Sequence, residues 1–76
     1  MTDSLYAGWG ARLRQERIAA GFTQQALALA ARTTGAQISN IERGVSGASD
    51  SLRIRLATAL QTTVADLFPY PDAVPA

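Results

Sequence analysis

Seventy-six residues with 47% hydrophobic and 17% charged side chains make one small globular domain with a thin core, not a disordered or multi-domain chain. The sequence contains no cysteine and no histidine, which excludes disulfides, thiolate or imidazole metal sites and histidine-based catalysis. The formal net charge of +1 is unevenly spread: residues 9–58 hold all seven basic residues, every one an arginine, against Glu16, Glu42 and Asp50, a basic centre that permits a polyanionic partner without demanding one.

Along the chain, periodicity predicts helices throughout. Leu5, Trp9 and Leu13 fall at i, i+4 and i+8, with Arg17 next on the same face. Ser4 is positioned to cap this helix and Gly21 to end it in a left-handed conformation. Thr23 opens a short helix whose Leu27, Ala28 and Ala31 share a face. Thr34 opens the next and forms a capping box with Gln37; Ile38 and Ile41 are its apolar pair, and Gly44 closes it. After a VSGASDS loop, a fourth helix starts near Ser49 or Ser51 with Leu52, Leu56, Ala59 and Leu60 on its buried side. Thr63 caps a last short helix, VADLF, where Asp66 lies near the positive end of the dipole. The prolines at 69, 71 and 75 stop any continuation. The expected architecture is all-α: a compact bundle of five short helices in a domain over 1–68, followed by a Pro-rich tail over 69–76.

Residues 23–44, TQQALALAARTTGAQISNIERG, are the informative stretch. Two helices joined by Arg32, Thr33 and Thr34 fold at a steep angle only if small side chains sit at the crossing, a need that Ala28 and Ala31 meet. Leu27, Ile38 and Ile41 supply the buried wedge. This spacing is that of a helix-turn-helix, whose second helix projects into the DNA major groove.

With these residues in view, the sequence resembles the lambda-repressor-like, Cro-type helix-turn-helix domains, also called the xenobiotic-response-element family. The resemblance runs from about Trp9 to Phe68 and rests on LRQERIAAGFTQ, ALA, ISNIERG, LATAL and the TTVADLF ending, all in register. It implies that Gln24 grips a backbone phosphate, with Arg43 and the Gly35 backbone as further phosphate contacts. It places Gly35, Ala36, Gln37, Ser39 and Asn40 on the exposed face of the recognition helix, the last four as base contacts. Gln37 and Asn40 each carry an amide able to pair bidentately with adenine, and Ala36 suits a thymine methyl. Gln37 also has the reading of a cap partner, a role it cannot easily combine with reading a base. The resemblance further implies a structural ion pair of Arg17 with Glu42.

Three departures from the family pattern stand out. The turn glycine is Arg32; the leading recognition positions are the small Gly35 and Ala36; and the loop after Gly44 carries no Lys or Arg. Arg12, Arg14, Arg53 and Arg55 read as solvated surface and Trp9 as core. Leu67, Phe68 and Tyr70 either close the bottom of the core or form a dimer seam.

The resemblance implies a sequence-specific, DNA-binding transcriptional regulator acting as a homodimer on double-stranded DNA, its recognition helices entering successive major grooves about 34 Å apart on a pseudo-palindromic operator. A phage-type repressor or Cro-like protein, a restriction–modification controller and a small bacterial regulator all fit. The alternative is a protein-interaction module, such as an antitoxin or anti-regulator, acting through the C-terminal edge. An enzyme is not expected, since no nucleophile is paired with a base. No cofactor, metal, small-molecule ligand or membrane partner is expected either. The N-terminus, MTDSLYAGWG, lacks the features of a signal peptide, so the expected location is the cytoplasm.

Overall fold

The computed structural model describes residues 4–70, which form five helices. They are α1 (Ser4–Ala19), α2 (Gln24–Ala31), α3 (Gly35–Glu42), α4 (Asp50–Ala59) and α5 (Val64–Leu67), with no strand among the described residues. None of these helices is long and apolar enough to cross a membrane. Helix α1 packs on α3 and α5, α2 packs on α3 and α4, and α4 also meets α5.

Four of the five helices start on the same device. Thr23, Thr34, Ser49 and Thr63 have extended backbones, and the oxygen of each side chain accepts from the amide three residues on. These bonds, at 3.0 to 3.2 Å, satisfy one of the orphan amides that every helix start presents. Helix α1 differs: Ser4 is its first residue, so its capping position falls one residue earlier, outside the described residues. Gly21 and Gly44 take positive φ just past α1 and α3 and stop both helices.

The core is built by the apolar stripes. Trp9 and Leu13 of α1, Leu27, Ala28 and Ala31 of α2, Ile38 and Ile41 of α3, and Leu52, Leu56 and Ala57 of α4 are buried, with Leu67 and Phe68 closing the cluster. Leu5, Ala59 and Leu60 are partly buried against it. Ala28 and Ala31 have no exposed surface, as a close crossing of α2 against its neighbours requires.

Two backbone positions show what this packing demands, one a close approach and the other a left-handed turn. Gly10 faces the end of α3 so closely that an added methyl would lie 2.6 Å from the Glu42 carbonyl oxygen and closer still to that of Ile41. Arg32, in the turn between α2 and α3, takes the left-handed conformation, φ 58° and ψ 50°. The turn therefore keeps the backbone that favours glycine, although an arginine occupies it, at a cost of roughly 1–2 kcal/mol.

Tertiary contacts continue past α5. The Trp9 indole Nε1 donates to the Pro69 carbonyl at 2.8 Å, and Tyr70 meets the Trp9 ring edge-on at 5.5 Å between centroids. Pro69 and Tyr70 thus pack on the domain; the remainder of the tail expected over 69–76 lies outside the described residues.

Two stability changes follow. Arg32→Gly relieves the left-handed strain, offset in part by glycine's greater unfolded-state entropy, and raises unfolding free energy by about 0.5–1 kcal/mol in urea denaturation. Gly10→Ala gains about 1 kcal/mol of helix propensity but drives a methyl into immovable backbone. A net loss of about 2 kcal/mol is expected in the same assay, whereas an unchanged midpoint excludes the close approach.

Candidate nucleic-acid interface

The interface is set by how α3 is held. Its apolar side, Ile38 and Ile41, is wholly buried against α1 and α2. Its opposite side carries exposed Ala36 and Arg43, with Gly35, Gln37, Ser39 and Asn40 half-buried along it.

The C-terminal end of α3 is fixed by a buried carboxylate. The Glu42 side chain is only 3% exposed, and Arg17 grips it with a two-nitrogen fork: Nε to Oε2 at 2.6 Å and Nη2 to Oε1 at 3.2 Å. The third nitrogen of the guanidinium, Nη1, donates to the Phe22 carbonyl at 2.8 Å. One arginine thereby joins α1, the loop after it and the end of α3. Gln24 Nε2 donates to Glu42 Oε1 at 3.1 Å, and the exposed Arg14 approaches the same oxygen at 3.9 Å. Charge-assisted bonds of this kind are what a carboxylate needs when removed from water.

The residues singled out in the sequence occupy distinct places. Gln24 stands at the start of α2, as a phosphate-binding role requires, but its amide nitrogen already serves Glu42, leaving one N–H for another partner. Thr34 accepts from the Gln37 backbone at 3.1 Å, whereas the Gln37 side chain makes no return bond; its amide is left for other partners. Asn40 Oδ1 accepts from Arg43 Nη2 at 2.5 Å, so these two side chains form a unit one turn apart. Gly35 lies against Gln25, whose Oε1 would be 2.7 Å from an added methyl.

Two expectations need correction. Leu67 and Phe68 do not face solvent: they are 0% and 1% exposed, and Phe68 meets Trp9 edge-on at 5.4 Å. A thin core recruits them, so of the apolar residues expected at a dimer seam only Tyr70, 65% exposed, is presented. The second correction concerns Arg53 and Arg55, which are not merely solvated surface. Arg53 lies over the Trp9 ring at 5.0 Å, pairs with Asp50 and donates to the Tyr70 hydroxyl at 3.2 Å. The Tyr70 bond, followed by the Asp50 pairing, raises its pKa despite the opposing effect of burial. Arg55 Nε donates to the Ala31 carbonyl at 2.8 Å, placing a cation at the C-terminal end of α2. Arg12 pairs with Glu16 at 3.6 Å along α1.

Sequence reasoning missed Gly10, Gln25 and the Arg55 link. Gly10 carried a readable signal, because a glycine inside a helical pattern forfeits stability without a packing reason. The partners of the two arginines left none, since each reaches a group more than ten residues distant.

Two short helices joined by a tight turn, with one buried seam and a polar outer face, are the arrangement of a helix-turn-helix. The chain belongs to the helix-turn-helix domain family, whose model matches residues 10–67. Among solved structures it is similar to the clp gene regulator ClgR from Corynebacterium glutamicum, at 34% identity and a TM-score of 0.81 over 88% of this chain and 71% of that one. A second ClgR structure gives a TM-score of 0.82 at 34% identity, over 90% of this chain and 87% of that one. The restriction–modification controller protein C.AhdI from Aeromonas hydrophila is similar at 32% identity and a TM-score of 0.82, over 86% of this chain and 94% of that one. A search of curated proteins found no match.

The Glu42 cluster makes a direct prediction. Glu42→Ala leaves the Arg17 guanidinium buried without its counter-charge, and a loss of about 3–5 kcal/mol is expected in chemical denaturation. A loss below about 1 kcal/mol marks the pair as an ordinary surface bridge.

Proposed function

We propose that the chain is a transcriptional regulator that binds a pseudo-palindromic operator as a homodimer, with helix 34–43 in the major groove. The observation that carries this reading is the face of α3, where Ala36, Gln37, Ser39, Asn40 and Arg43 stand together while Ile38 and Ile41 fasten the other side to the core. On this reading the amides of Gln37 and Asn40 read bases, Ser39 hydrogen-bonds a base edge and Ala36 meets a thymine methyl. Gln24, through its remaining N–H, the Gly35 backbone at the start of α3 and the Arg43 guanidinium hold phosphates.

The homodimer reading gains a different seam. With Leu67 and Phe68 interior, the exposed apolar groups on that side are Tyr70 and Ile54, the latter 56% exposed and sharing a surface hollow with Val64, Asp50 and Arg53. The alternative, a protein-interaction module working through the C-terminal edge, is weakened because two of the apolar residues it would use, Leu67 and Phe68, are core. A DNA-reading role is consistent with a location in the cytoplasm.

Selection on randomised duplexes at two salt concentrations tests the proposal. An enriched palindrome with half-sites about one helical turn apart and a steep salt slope is expected. Absence of enrichment overturns it. Asn40→Ala then costs about 1–3 kcal/mol on the enriched site with nonspecific binding nearly unchanged, measured by fluorescence anisotropy. Equal losses on both DNAs remove Asn40 from base readout.

A further inference from the structure

We infer that Arg43 is a positioning residue for base selectivity: by donating to Asn40 Oδ1 it fixes which way the Asn40 amide faces, and so makes that position select adenine over guanine. This deepens the DNA-binding reading above and rests on it.

The argument starts from the amide. An asparagine side chain presents a carbonyl oxygen and an NH2 group of nearly the same shape, and a half-turn about the last bond exchanges them. Adenine offers the groove an N6–H donor beside an N7 acceptor, so it needs the oxygen and the nitrogen in one particular order. Guanine offers two acceptors, O6 and N7, and is poorly matched by a held oxygen but accepts an NH2 free to turn toward either atom. Selectivity for adenine therefore depends on whether the amide is held, beyond whether an asparagine is present.

In this protein it is held. Arg43 Nη2 lies 2.5 Å from Asn40 Oδ1, and a guanidinium, which only donates, bonds the oxygen of the amide and cannot bond its NH2. The carbonyl keeps a second lone pair for adenine N6–H, and the NH2 remains unengaged and available to N7. The geometry of α3 supports the pairing, because residues three apart are neighbours on a helix surface. Arg43 is the residue immediately after the helix, its backbone amide bonded to the carbonyls of Ser39 and Ile41, so the guanidinium approaches from a fixed base. No other hydrogen bond or ion pair of the Arg43 side chain is present among the described residues, and its remaining N–H groups are available to phosphate.

Binding of the full-length chain to two duplexes separates positioning from simple phosphate attraction. The first duplex is the selected operator; the second replaces adenine by guanine at the position whose preference Asn40→Ala abolishes. Arg43→Lys retains the positive charge but replaces the planar fork by a mobile ammonium. Its salt slope is expected to stay near that of the unsubstituted chain while the preference for adenine falls about tenfold. Arg43→Met is expected to lose a comparable preference and to reduce the salt slope by about one phosphate contact. Circular dichroism and denaturation confirm that both exposed-site variants fold.

Equal weakening on both duplexes in Arg43→Met, with Arg43→Lys retaining full preference, overturns the inference and leaves Arg43 as a phosphate contact alone. A sharper adenine preference in either variant also overturns it, since Arg43 would then compete with the base for the oxygen. If the unsubstituted chain enriches no site, the DNA-binding reading itself fails and this inference falls with it.

Discussion

The position of the recognition helix depends on one buried carboxylate. Glu42 closes α3 with a side chain 3% exposed, in a place where an unpaired charge is costly, and Arg17 meets it with a bidentate fork. Such a pair contributes little net stability over a well-packed apolar substitute, because desolvating both ions offsets most of their attraction. What it adds is direction. A fork accepts a carboxylate in a narrow range of angles, so Arg17 fixes the end of α3 relative to α1. Its bond to the Phe22 carbonyl and the Gln24 amide on Glu42 bring the start of α2 to the same point. The Gly10 approach completes the arrangement, since α1 reaches this point only where no side chain intervenes.

The charge count of the sequence and the charge available to DNA are different quantities. Arg17, Arg53 and Arg55 are committed to the fold, and Arg12 is paired along its own helix. Arg55 has particular bearing on the turn. It bonds the carbonyl of Ala31, immediately before Arg32, whose backbone is left-handed. A charge-assisted bond at that helix end contributes on the scale of the strain beside it. The family's turn glycine is thus absent while the turn keeps its shape, with α4 helping to hold the residue that bears it. Gln61 holds a second left-handed position, φ 56°, after α4.

Local features of the fold were legible in the sequence because their causes are local. Thr23, Thr34 and Thr63 announced helix starts through an oxygen that bonds three residues on, and the Leu27, Ala28, Ala31 stripe announced a seam through its spacing. The fate of Leu67 and Phe68 was not legible, since the same apolar residues serve a core or an interface. The choice was made by Trp9, some sixty residues away, which packs on Phe68 and bonds Pro69. Within the candidate site, the residues on the outer face of α3 were legible by helical spacing. The state of each side chain was not: whether Gln37 is spent on a cap, Gln24 on Glu42 or Asn40 on Arg43 depends on hydrogen bonds that spacing does not specify.

On the proposed reading, those side-chain states explain how a face with so few charges serves a polyanion. Affinity for a duplex comes largely from backbone charge and specificity from base edges, so the two tasks need not fall to the same residues. On the proposed reading, Gly35 and Ala36 add no charge and little bulk, which lets the start of α3 lie close to the groove. The space beside Gly35 is used by Gln25, which leaves an amide from α2 next to the amide-bearing face of α3. A face that reads mainly through amides discriminates only if each amide is held in one orientation. The Arg43 bond supplies that hold for Asn40, while the Gln37 side chain has no such bond among the described residues. On the proposed reading the two amides of α3 are therefore unequal readers, with strict selection centred on Asn40 and tolerance at the position that Gln37 meets.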